Sequence, residues 1–466
     1  MTKDSLEISK RQVFDPRKRD GEILRDKSVP LDETPVTTKV MTVPLKKREM
    51  PSIKARADVV DTNVLFVQAS HFPPNSKIEY RVGSDKLSPA SEDGENVLYA
   101  QGLTPGFHVT TFQMTLPDGQ AFQYPVPFDV PGAISPVWST NIGGEVQSRL
   151  VKHGDTLFVS SMGNDLVALS STDGKEKFRI QTGGPIFSGA HVDQGVVFFG
   201  SADHFLYAAD ASTGAIKWKK ELGGAVLAGP VVSQDVVCVG TTDTKIYLLD
   251  AKTGDIRSWV QGANMYQAKA ATDGPTFFVG GWDNVFRAID AGAGEEIWKV
   301  ELGRKQKPTF SAFSPAITAP AVGDGLVFVS TNDGILHALS TKDGSEAWKF
   351  DQKKMGYSSP LYREGKVYFA LSDEGKTFCC DAKTGELKWT CETGSVIYDS
   401  SFAFGGDHVF IGNVNGTINA IDADTGKLAW QYRMAPGHLL GSPVADDSHV
   451  YMGSMSGEVI ALPIRP

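Results

Sequence analysis

From residue 134 onward, short apolar runs alternate with turns centred on glycine and aspartate, always in the same order. An apolar run such as Val196-Val-Phe-Phe199 predicts a strand, Gly200-Ser-Ala-Asp203 a turn, and Phe205 to Ala209 a further strand. Asp-Ala-x-Thr-Gly comes next, where the Asp side chain can bond the turn backbone and the Gly can take positive φ. A Trp four residues after that Gly opens the last strand of the unit. The first strand lies upstream, near Gly229-Pro-Val-Val232 or Ser359-Pro-Leu361.

The unit repeats. Leu206-Tyr-Ala-Ala-Asp-Ala-Ser-Thr-Gly-Ala-Ile-Lys-Trp218 returns as Ile246-Tyr-Leu-Leu-Asp-Ala-Lys-Thr-Gly254, as Phe378-Cys-Cys-Asp-Ala-Lys-Thr-Gly-Glu-Leu-Lys-Trp389 and as Ile418-Asn-Ala-Ile-Asp-Ala-Asp-Thr-Gly-Lys-Leu-Ala-Trp430. The turn glycines fall at 174, 214, 254, 294, 344, 385 and 426, with spacings of 40, 40, 40, 50, 41 and 41. Four antiparallel strands per ~40 residues is the grammar of a β-propeller blade. Residues 449–462 give one more second and third strand, but no Thr-Gly-x-x-x-Trp follows. The missing strand is found in Ile134-Ser-Pro-Val-Trp138-Ser-Thr-Asn-Ile-Gly-Gly144, which ends in Gly-Gly as the fourth strands before Gly184 and Gly224 do. The expected fold is therefore all-β: an eight-bladed propeller over 133–466, closed by an N-terminal strand completing the last blade.

The Ala-x-Asp-Ala-x-Thr-Gly-x-x-x-Trp repeat resembles the pyrroloquinoline-quinone-like propeller family. That family includes the quinoprotein alcohol dehydrogenases and the outer-membrane assembly lipoprotein BamB. The resemblance covers about 133–466 and implies that the Trp side chains stack between neighbouring blades. Trp218, Trp298, Trp348, Trp389 and Trp430 match that slot, and Trp138 belongs to the closing strand. Phe178 substitutes in the first blade, and Trp259 sits one position late in the third. These rings are read as packing, since burying a large ring is their main contribution.

Residues 59–132 show alternating strands at 63–67, 77–82, 96–99, 107–114 and 122–126, with hairpin chemistry at Pro117-Asp-Gly119. They predict a small immunoglobulin-like β-sandwich. Leu103-Thr-Pro-Gly-Phe-His-Val109 resembles a fibronectin type III pattern, although the usual early Trp is missing. Residues 1–58 are charged and proline-punctuated, without periodicity, and read as an extended or disordered arm. Basic clusters at Arg17-Lys-Arg19 and Lys46-Lys-Arg48 would suit an arm that orders on a partner.

Charge is unevenly placed. Residues 1–58 hold 14 Lys and Arg against 10 Asp and Glu, whereas the rest of the chain holds 32 against 45. An acidic body argues against nucleic acid as a partner, because phosphate neutralisation needs a basic surface. No apolar run reaches a membrane span, and the first twenty residues lack an apolar core. Those features predict no transmembrane segment and a cytoplasmic protein, or a periplasmic or exported one if a leader is removed. Four cysteines, at 238, 379, 380 and 391, are too few for a disulfide scaffold.

Catalytic signatures fail on inspection. Gly375-Lys-Thr377 ends like a P-loop, but Ala370 stands where its leading Gly is needed. Asp422-Ala-Asp-Thr-Gly426 starts like a calcium loop, but Arg433 occupies the place of the bidentate Glu. No His-Glu-x-x-His or Gly-x-Ser-x-Gly occurs. In the quinoprotein dehydrogenases adjacent cysteines stack on the quinone. Here Cys379 and Cys380 fill the slots of Ala208-Ala209 and Leu248-Leu249, which points to core packing. The expectation is no catalytic residue, no cofactor and no metal site.

A protein partner in a larger assembly is expected instead, bound through one propeller face and the arm. The loops that lead into the inner strands share that face with the loops joining second to third strands. The ten-residue insertion adds Arg304, Lys305 and Lys307 there, and Trp282 replaces the small residue seen at Ala202. Tyr266, Tyr357 and Tyr398 precede inner strands, and Arg149, Gln267, Asp399 and His438 are placed near the channel mouth. The expected function is a non-catalytic binding scaffold. The alternatives are a BamB-like assembly role, a small ligand at the channel mouth, and a quinone-dependent dehydrogenase.

Overall fold

The computed structural model describes residues 54–465 apart from 62–63, 71–74, 83–87, 90–94, 100–105, 131–133, 304–313, 352–353, 373–374 and 435–437. The arm up to residue 53 and the basic insertion therefore lie outside the described residues. Residues 51–466 form one compact unit.

Seven strands come first: β1 (Lys54–Asp61), β2 (Val64–Ser70), β3 (Lys77–Val82), β4 (Ser88–Pro89), β5 (Glu95–Tyr99), β6 (Gly106–Thr115) and β7 (Ala121–Val130). They form one sheet in the order β1-β2-β5 and another in the order β4-β3-β6-β7. The turn at Pro117-Asp-Gly119 joins β6 to β7, with Gly119 at φ 84° and its N–H donating to Leu116 O at 2.9 Å. β1 corrects the expectation for the arm, because it begins at Lys54 and pairs with β2 from Lys54↔Ser70 onward. Lys54-Ala-Arg-Ala-Asp-Val-Val alternates by twos, but its charged positions make it read as solvated chain.

The eight blades follow. β8 (Trp138–Asn141) runs ahead of blade 1, which is built from β9 (Val151–His153), β10 (Thr156–Ser161), β11 (Asp165–Ser170) and β12 (Glu176–Gln181) in the order β12-β11-β10-β9. Six more four-stranded sheets occupy 191–221, 231–261, 271–301, 321–351, 361–392 and 403–433. In the eighth, β8 pairs antiparallel with Glu458–Pro463, Trp138 opposite Ala461 and Asn141 opposite Glu458. The closing strand is where the repeat arithmetic put it. The ring is sealed at the axis too, where Leu150 N donates to Ser442 O at 3.3 Å.

Burial explains the sequence pattern. Second and third strands are covered on both faces, so Val236–Gly240 is buried at every position and reads as an unbroken apolar run. Outer strands have one wet face; Ile256–Gln261 alternates half-buried and exposed. The core lies between blades: Phe198, Leu206 and Ala208 of blade 2 pack on Val237, Val239 and Leu249 of blade 3.

The turn glycines and the Trp residues form one device. Trp218 Nε1 donates to Ala251 O of the next blade at 3.0 Å, and its ring lies against Gly254, where a Cβ would come within 2.7 Å of Cδ2. Trp138, Trp298, Trp348, Trp389 and Trp430 make the same bond to Ser171, Thr341, Ala382, Ala423 and Ile464. Phe178 takes the slot over Gly214. The late Trp259 leaves it: Ser258 faces Gly294 instead, and Trp259 is 55% exposed with Lys245 Nζ 5.5 Å from its ring.

These two sheets rest on the outer edge of the ring. β6 lies beside the outer strand Leu428–Arg433 of blade 7, and Arg81 Nη1 reaches Glu392 Oε2 of blade 6 at 3.5 Å. Trp430 on that strand is accordingly buried, whereas Trp218, Trp298 and Trp348 stay half-exposed.

Candidate interaction face and axial channel

Each loop leading into an inner strand is bonded to the turn between second and third strands of the same blade. Ala202 N donates to Pro185 O at 2.9 Å, Thr242 N to Ala225 O at 3.1 Å, Trp282 N to Met265 O at 3.1 Å and Met455 N to His438 O at 3.1 Å. An Asp in that turn reinforces the junction: Asp203 accepts from Gly183 N at 2.7 Å and from Tyr207 O–H at 2.6 Å. One face of the ring is thereby made of short, tied loops.

The structure sorts the residues expected there. Trp282 is half-buried, and its Nε1 donates to Gln267 Oε1 at 3.3 Å. Tyr357 and Tyr398, on loops of neighbouring blades, stack with ring centroids 5.3 Å apart and 15° between planes, and Tyr398 is 46% exposed. His438 Nδ1 donates to Val414 O at 2.6 Å with the ring exposed. Asp399 touches water, yet the protein around it raises its carboxyl pKa by desolvation. Arg304, Lys305 and Lys307 lie outside the described residues.

Tyr266 is a correction. It is fully buried and presents nothing to a partner. Gly240, Gly262 and Gly281 leave a slot for its ring, each with a would-be Cβ within 2.6 Å of a Tyr266 atom. Arg287 lies 5.7 Å from the ring and is itself buried against Asp283, Nη2 to Oδ2 2.6 Å. Those three glycines were the legible signal that the aromatic turns inward.

Arg149 lines the axis, where its Nη2 donates to Phe402 O of blade 7. Its side chain keeps contact with water although protein surrounds it deeply enough to lower the guanidinium pKa, as expected in a wet channel. Sequence reading missed its companion Lys269, whose Nζ reaches Ala190 O of blade 2 at 3.4 Å. Burial first and Arg149 second hold the Lys269 ammonium down to about 8. Burial and then Lys269 push the adjacent His191 down to about 4.

Cys379 and Cys380 are unpaired thiols buried in different inter-blade cores, Cys379 beside Tyr368 and Trp389, Cys380 beside Phe328 and Phe378. A cavity of about 490 Å3 opens between the outer strands of blades 4 and 5, lined by Glu301, His337, Glu346 and Asp351 among others. Among the described residues no group of three or more His, Cys, Asp and Glu could hold a metal, and no helix is long and apolar enough to cross a membrane.

Comparison with known proteins gives a consistent picture of the ring. The BamB crystal structure from Moraxella catarrhalis matches with a TM-score of 0.62 at 19% identity, over 71% of this chain and 100% of that one. A quinohemoprotein alcohol dehydrogenase from Pseudomonas putida HK5 matches with a TM-score of 0.58 at 14% identity, over 71% of this chain and 76% of that one. Both show the fold alone. In sequence, the outer membrane protein assembly factor BamB of Salmonella typhimurium is 33% identical over 82 residues, 17% of this chain and 21% of that protein. The match thus spans about a fifth of that relative's length. These names correct the cytoplasmic expectation, which rested on the first twenty residues having no apolar core; the relatives are named as assembly factors of outer membrane proteins. The family model described as outer membrane protein assembly factor BamB matches residues 135–203, 181–281 and 282–466, and the chain belongs to that family.

Proposed function

We propose that this chain is a non-catalytic assembly factor acting on outer membrane proteins, a rigid ring that offers its tied-loop face to protein partners. The observation that carries this reading is the family match, which runs through all eight blades. The stacked Tyr357 and Tyr398 and the Trp282–Gln267 pair support the choice of face, since exposed aromatics on a rigid frame are frequent interface anchors. Asp399, His438 and the insertion residues Arg304, Lys305 and Lys307 would complete its rim, with Arg149 at the axis. The domain division follows the same logic once β1 is counted in: a charged arm up to residue 53, a sandwich at 54–132 and the propeller at 133–466. The strand orders β1-β2-β5 and β4-β3-β6-β7 support an immunoglobulin-like or fibronectin type III sandwich. The dehydrogenase alternative rests on fold likeness, and the separately buried Cys379 and Cys380 lend it no support.

Photo-crosslinking in intact cell envelopes tests the reading. A photoreactive residue at Tyr398 or Trp282 is expected to yield adducts with outer membrane assembly proteins, and one at Lys383, on an exposed turn of the opposite face, to yield none. A full chain and one lacking 1–53, which keeps β1 whole, are compared to assign the arm. Equal yields from Lys383, or no adduct from either face position, would sink the proposal.

A further inference from the structure

One residue per blade faces the axis just before the inner strand: Arg149, Gly189, Gly229, Lys269, Ala319, Ser359, Ser401 and Ser442. Contacts between blades confirm the arcs of this ring. A Cβ on Gly189 would lie 2.7 Å from Arg149 O, and one on Gly229 3.2 Å from Lys269 Cβ. Ala319 N donates to Ser359 Oγ at 2.8 Å, Ser359 N to Ser401 Oγ at 2.9 Å and Ser401 N to Ser442 Oγ at 3.0 Å. The two glycines leave the axis open between the two cations, and Lys269 crosses that gap to reach blade 2.

The ring holds donors and no carboxylate. Each of the three serine hydroxyls accepts a backbone N–H and retains a proton to give. Arg149 and Lys269 bond only carbonyl oxygens, and neither forms an ion pair among the described residues. Burial first, and the Arg149 charge second, depress the Lys269 ammonium. Two cations that face one channel without a counter-charge favour an anion between them. Asp399, two residues before Ser401, is on the rim and is paired with neither. We propose that the axial channel binds a small multivalent oxyanion of the phosphate class, held between the Arg149 guanidinium and the Lys269 ammonium and completed by serine hydroxyls. Guanidinium and ammonium together suit a tetrahedral oxyanion, the first through a planar fork and the second as a point charge. The site shares Arg149 with the face proposed above, and phosphate binding by the isolated chain tests it without any protein partner.

Calorimetric titration of the full chain with inorganic phosphate at fixed ionic strength tests it. One saturable site is expected, weakened roughly ten- to a hundredfold by Arg149→Gln and by Lys269→Gln, as for loss of one charge-assisted bond. Lys383→Gln, a surface change of the same charge, should leave it intact. Lys269→Gln carries the test should Arg149→Gln fail to fold. Absence of saturable heat in the wild-type chain overturns the proposal. So does equal weakening by Lys383→Gln, which would reveal a diffuse charge effect, or unchanged affinity in both channel variants.

Discussion

Gly254→Ala should be markedly more damaging than Gly294→Ala, although both residues occupy the same turn of successive blades. Their backbones are alike, with φ of 75° and 69°, so each substitution carries about 1–2 kcal/mol of left-handed strain. What the new methyl meets is different. At Gly254 it comes within 2.7 Å of both Cδ2 and Cε3 of Trp218, a ring pinned by its bond to Ala251 O. Displacing that ring adds about 1–3 kcal/mol of overpacking. At Gly294 it meets Ser258 Oγ at 2.1 Å and Cβ at 2.9 Å, and the hydroxyl can rotate away. The expected totals are about 2–5 kcal/mol for Gly254→Ala and about 1–2 kcal/mol for Gly294→Ala. Urea unfolding followed by far-ultraviolet circular dichroism measures both, and also a cycle with Trp218→Ala. In the Trp218→Ala background the cost of Gly254→Ala should fall to the strain alone. Equal losses at the two glycines, or a full cost that persists without the ring, would refute the account of how blades lock.

Two other expectations use buried charge and buried thiols. Arg287→Ala leaves Asp283, whose side chain is 4% exposed, without its ion partner and should cost about 3–5 kcal/mol in the same urea assay; a loss under 1 kcal/mol would show the pair to be dispensable. Burial pushes the Cys379, Cys380 and Cys391 thiols up to about 12. Their ordinary value is about 8.5, so the unfolded chain ionises first: their contribution is complete below pH ~8.5 and is lost as pH rises towards 12. Stability should fall across that window, and Cys380→Ala should remove about 1.4 kcal/mol per pH unit of the slope. An unchanged slope would contradict the burial.

The blades were legible in the chain because one physical unit repeats: the Asp that closes its turn, the Gly that must be bare, the aromatic that lies on the next Gly. Closure was legible too, since a strand missing at one end and surplus at the other have one economical solution. Three features escaped. β1 hid because its alternation is carried by charged residues. Tyr266 looked outward because loop aromatics usually are, whereas its slot is assembled from a strand end at Gly240, its own loop at Gly262 and a turn at Gly281. Lys269 stands 120 residues from Arg149, which was placed near the channel mouth, and joins it only because blades 1 and 4 share an axis. A position that varies among Gly, Ala, Ser and two cations gives no local pattern to read.

Ser139 Oγ donates to Glu458 Oε1 across 319 residues of chain, within the β8 pairing that joins the two ends of the ring. Blades 1 to 7 can form one after another as each finds its neighbour, but β8 must wait for nearly the whole ring to be synthesised. Until then β8 has no strand partner, and an unpaired strand edge invites association with other chains. Contacts of such separation make folding slow. The step that seals the ring is thus the one most exposed to competition, and a chaperone that shields residues 138–141 during synthesis should raise the yield of closed rings more than one acting on any internal blade.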